Sequence, residues 1–333
     1  MSDQVLLTTT VGSFGKPDYL QKARNANARG KLGEAELTEL ERRATEEWVR
    51  RQERLDLDIL VDGEMYRGDM VAYFAERLEG FRLGGLVRSY GNRYYHKPII
   101  ASPVRRPKPM TVDWFRFTQS LTDRPVKGML TGPYTLLDWS YNEAYRTRRD
   151  AALALAEVVR QEAEDLQAAG ARHIQIDEPA IHARPEEIDI AIEAMGVVTQ
   201  NLKAKTISHI CYGDFAAIYP KVLDLPVDQL DLAMANYGYR WLELFDRDRF
   251  TKELAIGIVD VHSHETESVA TAAEGIRKGL RYVSKERLLP HPDCGLKTRT
   301  VEESEEKCRV VVEATKVVRS ELARQATPAK TAR

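Results

Sequence analysis

Only three of the 333 residues are cysteine, at positions 211, 294 and 308. So small and odd a number argues against a disulfide framework and for thiols kept reduced, free to hold a metal or do chemistry. Long apolar runs are also missing. Nothing approaches the roughly 20 residues needed to span a bilayer, and Met1 to Thr10 has no basic-then-apolar signal pattern, so the expected location is the cytoplasm with no membrane partner. Neither sign of charge is in excess. Lys plus Arg number 49 against 51 for Asp plus Glu, a net charge of -2, which argues against nucleic acid as the main ligand. No repeat of 20 to 50 residues and no low-complexity block precedes the small polar tail that begins at Gln325.

What the chain has instead is alternation. Hydrophobic residues make up 43% of it, enough for a large core, and the length suits one barrel-sized domain or two smaller ones. Short β-branched or apolar runs alternate with segments of helical period, the pattern of a parallel sheet covered by helices. Eight such runs are expected as strands: Leu6–Val11, Leu57–Val61, Val126–Thr131, His173–Asp177, Thr206–Cys211, Gln229–Ala235, Leu254–Val261 and Leu288–Pro292. Eight β/α steps predict a TIM (β/α)8 barrel, and the length beyond a typical ~250 residues predicts an insertion between the first two strands. There, residues Gly33 to Leu55 read as one amphipathic helix with Leu37, Leu40, Ala44, Trp48 and Val49 on one face. Phe81 to Pro103 reads as a β-hairpin excursion turning at Gly91-Asn92. A last helix is expected from about Val301 to Ala323, with Cys308 on its apolar face as a core thiol. The expected organisation is a single catalytic barrel over residues 1–324 and a disordered tail over 325–333.

Barrel enzymes build their chemistry at the C-terminal ends of the strands. Here conspicuous polar residues follow nearly every run: Gly12-Ser13, Asp62-Gly63-Glu64, Asp177-Glu178, His209 and Cys211, Asp260 and His262, and Asp293-Cys294. Side chains alternate along a strand, so the imidazole and thiol of His209-Ile-Cys211 share a face. One further thiolate, Cys294, would complete a borderline-soft donor set, and three protein ligands leave a coordination position open, as catalytic zinc sites do. Each residue also has a bland reading. His209 and Cys211 could be a buried polar pair and Cys294 a core thiol. Asp62 and Asp177 could cap helices, Glu64 and Glu178 could be surface carboxylates, and His262 a satisfied strand-end histidine.

At these residues the sequence resembles the cobalamin-independent methionine synthases, in their C-terminal catalytic barrel. The resemblance is carried by Thr8-Thr-Thr-Val-Gly-Ser-Phe14, Gly63-Glu-Met-Tyr-Arg-Gly-Asp-Met-Val71, Ser89-Tyr-Gly-Asn-Arg93, and Lys127-Gly-Met-Leu-Thr-Gly-Pro-Tyr-Thr135 with Trp139-Ser140. It continues through Ile174-Gln-Ile-Asp-Glu-Pro-Ala180, His209-Ile-Cys211, Asp260-Val-His-Ser263 and Pro292-Asp-Cys-Gly-Leu-Lys-Thr-Arg299, in family order. It implies a single-barrel member that moves a methyl group to the thiol of homocysteine, from methyl-tetrahydrofolate or a methyl-corrinoid protein. By the same resemblance His209, Cys211 and Cys294 would hold Zn2+, and Glu64 with Asp177 would grip the substrate ammonium. Ser13 with the backbone at Gly12 would take its carboxylate. Trp139 would wall the donor, and His262 paired with Asp260 would serve acid/base work. One position departs from the family, whose further zinc-ligating glutamate falls here on Ala233. Rival readings keep the fold: a zinc alkyltransferase acting on another thiol such as coenzyme M with an epoxide donor, a non-catalytic binding barrel, or a decarboxylase of the porphyrinogen type.

Overall fold

The computed structural model describes residues 5–89, 93–211 and 213–326. In chain order the elements are α1 (Asp18–Ala28), α2 (Glu34–Leu55), α3 (Ala72–Ala75), β1 (Glu79–Ser89), β2 (Arg93–Arg105), α4 (Val112–Ser120), β3 (Lys127–Thr131) and α5 (Pro133–Asp138). Then follow β4 (Tyr141–Asn142), α6 (Arg148–Ala168), β5 (His173–Asp177), α7 (Ile188–Thr199), β6 (Lys205–Ile210), β7 (Gln229–Leu232), α8 (Leu244–Arg247), β8 (Glu253–Val259), α9 (Val269–Gly279), β9 (Leu288–Pro292) and α10 (Val301–Ala326). Strands β3, β5, β6, β7, β8 and β9 lie in that order in one parallel sheet, each step crossing through helical or loop segments outside it. This is the TIM barrel the alternation predicts, with one correction.

The first two expected strands, Leu6–Val11 and Leu57–Val61, are staves without a regular ladder. Leu60 bonds across to the β3 side (Leu60 N to Pro125 O, 2.9 Å; Lys127 N to Leu60 O, 2.9 Å), and Thr9 N reaches Pro290 O on β9 at 3.4 Å. A bridge joins Ser13 to Gly63, so the wall closes. The reason the ladder is broken is local. Leu6 sits at φ 56°, and the Asp58 carboxylate takes the Thr8 N–H at 2.7 Å and its hydroxyl at 2.8 Å, bonds a neighbouring strand would otherwise supply.

The N-terminal insertion contains the expected helix, α2, preceded by α1, which the periodicity did not reveal. Leu37, Ala44, Trp48 and Val49 are buried along α2 as expected, with Glu41, Thr45 and Gln52 beside them, while Leu40 is half-buried. Trp48 stacks on Phe14 with ring centroids 4.0 Å apart and donates its indole N–H to Gly15 O at 3.1 Å, which anchors the helix beneath the loop after the first stave. The hairpin is present as β1 and β2, antiparallel, with β4 added in parallel to β2. Its expected turn at Gly91-Asn92 lies outside the described residues. Helix α10 runs to Ala326, past the expected end near Ala323, and residues 327–333 of the expected tail lie outside the described residues. Cys308 is buried in α10, and burial pushes its thiol well up. Among the described residues no helix is long and apolar enough to cross a membrane.

The barrel interior is layered. Near the N-terminal ends Ile59, Ala255 and Leu289 form a small apolar cluster. Above it the filling turns polar: Lys127, Gln175, Asp231 and His291 are all essentially sealed from solvent. Lys127 Nζ donates to Thr10 O at 2.6 Å and Gln175 Oε1 at 2.5 Å, and Gln175 Nε2 passes on to Val11 O and Asp177 Oδ1, each at 2.7 Å. Buried polar groups are tolerated only when they are paired. This chain of bonds therefore ties the first stave, β3 and β5 together and delivers Asp177 to the mouth.

Candidate metal centre and active-site mouth

The donors predicted from sequence do converge. His209 lies on β6, Cys211 one residue past its end, and Cys294 two residues past β9. Their ligating atoms all lie within 4.8 Å of one another, the one such group of three or more among the described residues. His209 is 2% exposed, and neither of its ring nitrogens makes a hydrogen bond. An unpaired buried polar group costs about 1–3 kcal/mol, so this imidazole needs a partner. The three groups act strongly on one another. The Cys211 S–H and the His209 ring hold the Cys294 thiol well below its ordinary range against the effect of burial. The Cys294 thiolate and burial together push Cys211 well up. Burial opposes a charge on His209, but Cys294, with Asp177 and Asp231, lifts it to about 9. Two thiolates and an imidazole with empty hydrogen-bond positions fit a borderline-soft divalent ion.

The trio opens into a mouth of about 770 Å³ that Ser13, Glu64, Trp139, Asp177 and His262 also line. Glu64 is held in the left-handed region at φ 56° by dedicated bonds. Its N–H reaches Asp62 Oδ1 at 2.9 Å, its carbonyl accepts Lys16 Nζ at 2.7 Å, and its carboxylate stands 3.4 Å from Arg67. Backbone in so sparse a region persists only where its surroundings hold it. Asp62 is thus spent on this turn, with Tyr66 Oη at 2.6 Å on its other oxygen, and caps no helix. Asp177 faces both His209 and Glu64, and burial pushes its carboxyl to about 7. Gly12 does not line the mouth directly. A Cβ there would meet Met129 Cε at 2.6 Å and Glu64 Oε1 at 3.3 Å, at φ +151°, so glycine is what lets the first stave pass beneath Glu64. Asp260 does not line the mouth either; its Oδ1 accepts the backbone N–H of His262 at 2.8 Å, so it shapes the turn that presents the histidine.

Several roles were not in the sequence reading, and Glu178 is a buried carboxylate and not a surface one. Asp293 accepts three successive amides, Met234 N (2.9 Å), Ala235 N (2.9 Å) and Asn236 N (2.6 Å), and so fixes the loop after β7 next to Cys294. Gly257 leaves the room for it, since a Cβ there would sit 2.0 Å from Asp293 Oδ1. Arg67 is 3% exposed inside a ring of Tyr66, Tyr73 and Phe74, with its guanidinium on Met129 O at 2.5 Å. Glu178 is sealed and caps the start of α5, the helix that Trp139 immediately follows. The signal for each was a polar residue beside a motif; which way it pointed was not legible.

Known proteins resemble this chain over nearly its whole length. Residues 6–317 match the family model for the catalytic domain of cobalamin-independent synthase. The methionine synthase of Saccharolobus solfataricus is 40% identical over 323 residues, covering 96% of this chain and 97% of that protein. The methionine synthase of Sulfolobus acidocaldarius is 38% identical over 325 residues, covering 97% of this chain and 95% of that one. A B12-independent methionine synthase from Shewanella sp. W3-18-1, solved in complex with selenomethionine, superimposes with a TM-score of 0.84 at 27% identity, covering 96% of this chain and 100% of that one. The chain belongs to the cobalamin-independent methionine synthase family and is a methyltransferase of that family.

Proposed function

We propose that the protein moves a methyl group to the thiol of homocysteine, forming methionine, with Zn2+ held by His209, Cys211 and Cys294. The observation that carries this reading is a soft donor trio beside two carboxylates and a serine in one mouth. The selenomethionine bound in the Shewanella structure supports it, since that ligand is a close analogue of the product. A free thiol titrates near ~8.5 and is a minor thiolate species at neutral pH. The metal, when bound, would supply Lewis acidity that keeps the substrate sulfur deprotonated.

The chain's own residues do the rest. Glu64 and Asp177 hold the substrate ammonium, which needs carboxylate partners and would leave a sulfonate acceptor such as coenzyme M unsatisfied. Ser13 and the backbone at Gly12 take the carboxylate. Trp139 walls the donor, and His262, presented by the Asp260 turn, gives a proton to the donor atom that loses the methyl. As the sulfur–carbon bond forms, the donor–carbon bond breaks; with methyl-tetrahydrofolate the electron pair stays on the donor nitrogen, which takes that proton, whereas with a methyl-corrinoid it stays on cobalt and no proton is needed. The donor is methyl-tetrahydrofolate or a methyl-corrinoid protein, and the reduced thiols favour work in the cytoplasm.

The test is methionine formation from homocysteine by purified protein, with methyl-tetrahydrofolate and methylcobalamin as parallel donors and Cys294→Ser as control. Product from one donor, lost in Cys294→Ser, is the expected result. Equal turnover by Cys294→Ser would sink the zinc-thiolate reading. Alkylation of coenzyme M but not homocysteine would transfer the site to the alkyltransferase reading.

A further inference from the structure

The donor trio sits on a second set of unsatisfied atoms. His209 and Asp231 are lateral partners on β6 and β7, both facing the barrel interior. Asp231 is fully buried. Its Oδ1 accepts from Gln229 Nε2 at 2.6 Å, which leaves Oδ2 buried with no partner. Lys127, the nearby buried cation, bonds Thr10 O and Gln175 Oε1 and makes no hydrogen bond to Asp231 Oδ2. On β9, His291 is equally sealed and meets the His209 ring edge to face, with centroids 6.4 Å apart. His291 Nδ1 faces Pro292 O at 2.5 Å, so Nδ1 carries the proton and Nε2 is an acceptor; Nε2 too is buried without a partner.

These orphans complement one another. A histidine that gives one nitrogen to a metal needs an acceptor for the N–H on the other, and in metal sites that acceptor is commonly a carboxylate. The available groups are then one donor, His209, and two acceptors, Asp231 Oδ2 and His291 Nε2. A water molecule can accept from one group and donate to two others, and buried waters typically make about three bonds to groups left unpaired by the protein. Resting on the metal reading of the trio, we propose that Asp231 is the residue that orients His209 for the metal, through one buried water that accepts from the His209 ring and donates to Asp231 and His291.

The arrangement also bears on Ala233. Two thiolates leave a divalent ion formally neutral, and Ala233, two residues along the same inward face from Asp231, has no donor atom. A carboxylate one layer below returns negative charge to the site through the imidazole, strengthening that ligand without occupying a coordination position. The fourth position stays free for the substrate sulfur.

The test compares wild type with Asp231→Asn, which keeps the shape and removes the charge. Zinc affinity is measured by competition with a chromogenic chelator, and the visible bands of the cobalt-substituted proteins are recorded alongside. Outer carboxylates of this kind are worth about 10–100-fold in metal affinity. The expected result is stoichiometric zinc in both proteins, a 10- to 100-fold weaker affinity in Asp231→Asn, and shifted cobalt ligand-field bands with the thiolate charge-transfer band retained. Affinity within twofold of wild type with unchanged bands overturns the inference while leaving the metal reading intact. Failure of the wild type to take up zinc overturns both. Should Asp231→Asn not fold, a crystal structure of the wild-type zinc protein decides. Ordered water about 3 Å from His209, Asp231 Oδ2 and His291 Nε2 supports the inference, and a dry gap or a His209 ring bonded elsewhere overturns it.

Discussion

Replacing Glu178 with glutamine isolates one buried charge in the wall of the mouth. Glu178 accepts Tyr134 N–H at 3.0 Å, Thr135 N–H at 2.7 Å and the Thr135 hydroxyl at 2.7 Å, yet burial outweighs these bonds and pushes its carboxyl to about 7. In the unfolded chain a glutamate titrates near ~4.3. A carboxyl with a raised folded pKa supports folding fully while it is protonated. That support is lost as pH climbs from the unfolded value through the folded one, and the loss is then constant. The shift corresponds to roughly 3 kcal/mol. Glutamine cannot titrate and keeps one acceptor oxygen for the helix start. Urea denaturation between pH 4.5 and 8, with chelator present to exclude metal linkage, should therefore show Glu178→Gln gaining about 3 kcal/mol on wild type from the low to the high end. Asp293, also pushed to about 7 by burial, bends both curves alike, whereas the charge of Asp177 acts on Glu178, so both proteins are compared in an Asp177→Asn background. A difference that stays flat across the range would refute the reasoning, because the three donors would then hold Glu178 ionised throughout.

Two further perturbations probe the mouth and the donors. Arg67→Met removes the buried guanidinium beside Glu64 and the bond to Met129 O, so methionine binding by calorimetry should weaken by about tenfold, or ~1.4 kcal/mol, at unchanged zinc content. Equal affinity would show that Glu64 is placed by its backbone bonds alone. Chelation should leave the barrel folded by circular dichroism but lower its melting temperature by about 5 °C or more, since a ligand at ~1,000 times its Kd adds about 4 kcal/mol. Cys294→Ser should melt at one temperature with or without chelator; a parallel drop in that variant would place the stabilising metal elsewhere.

All eight staves were legible as runs, and six of them form the regular sheet, because parallel strands covered on both faces read as plain apolar runs. Leu6–Val11 and Leu57–Val61 carry the same signature, but a run of apolar residues does not disclose that Asp58 has taken over the bonds of Thr8. The donors were legible for a related reason. His209 and Cys211 are two residues apart on one strand, so their common face follows from the pleat alone, and Cys294 ends another run in the same way. Asp260 and His262 show the limit of that rule. The same spacing let the carboxylate fold onto the backbone N–H of His262, as aspartates at turns do. Asp231 and His291 were out of reach, because which inward residues meet across a barrel is set by the stagger of its strands.

That stagger explains why the chemistry sits where it does. Along β7, Gln229, Asp231 and Ala233 all face inward, and so do Gln175 and Asp177 on β5 and His209 on β6. The polar filling therefore rises as a column from Lys127 to the mouth, with carboxylates at Asp231 and Asp177 and the donor trio at its head. Burial pushes Asp177 to about 7 and His209 keeps two unpaired nitrogens, so the upper end of the column is left with groups that lack partners. Lys127 is already bonded below, and Arg67 is bound into its aromatic ring at the side. A divalent ion between the thiols and an ammonium between Glu64 and Asp177 are the two charges that would complete it. In the proposed reading, Asp177, which lies near both His209 and Glu64, would make a substrate amine and a metal ion share its carboxylate as their common neighbour.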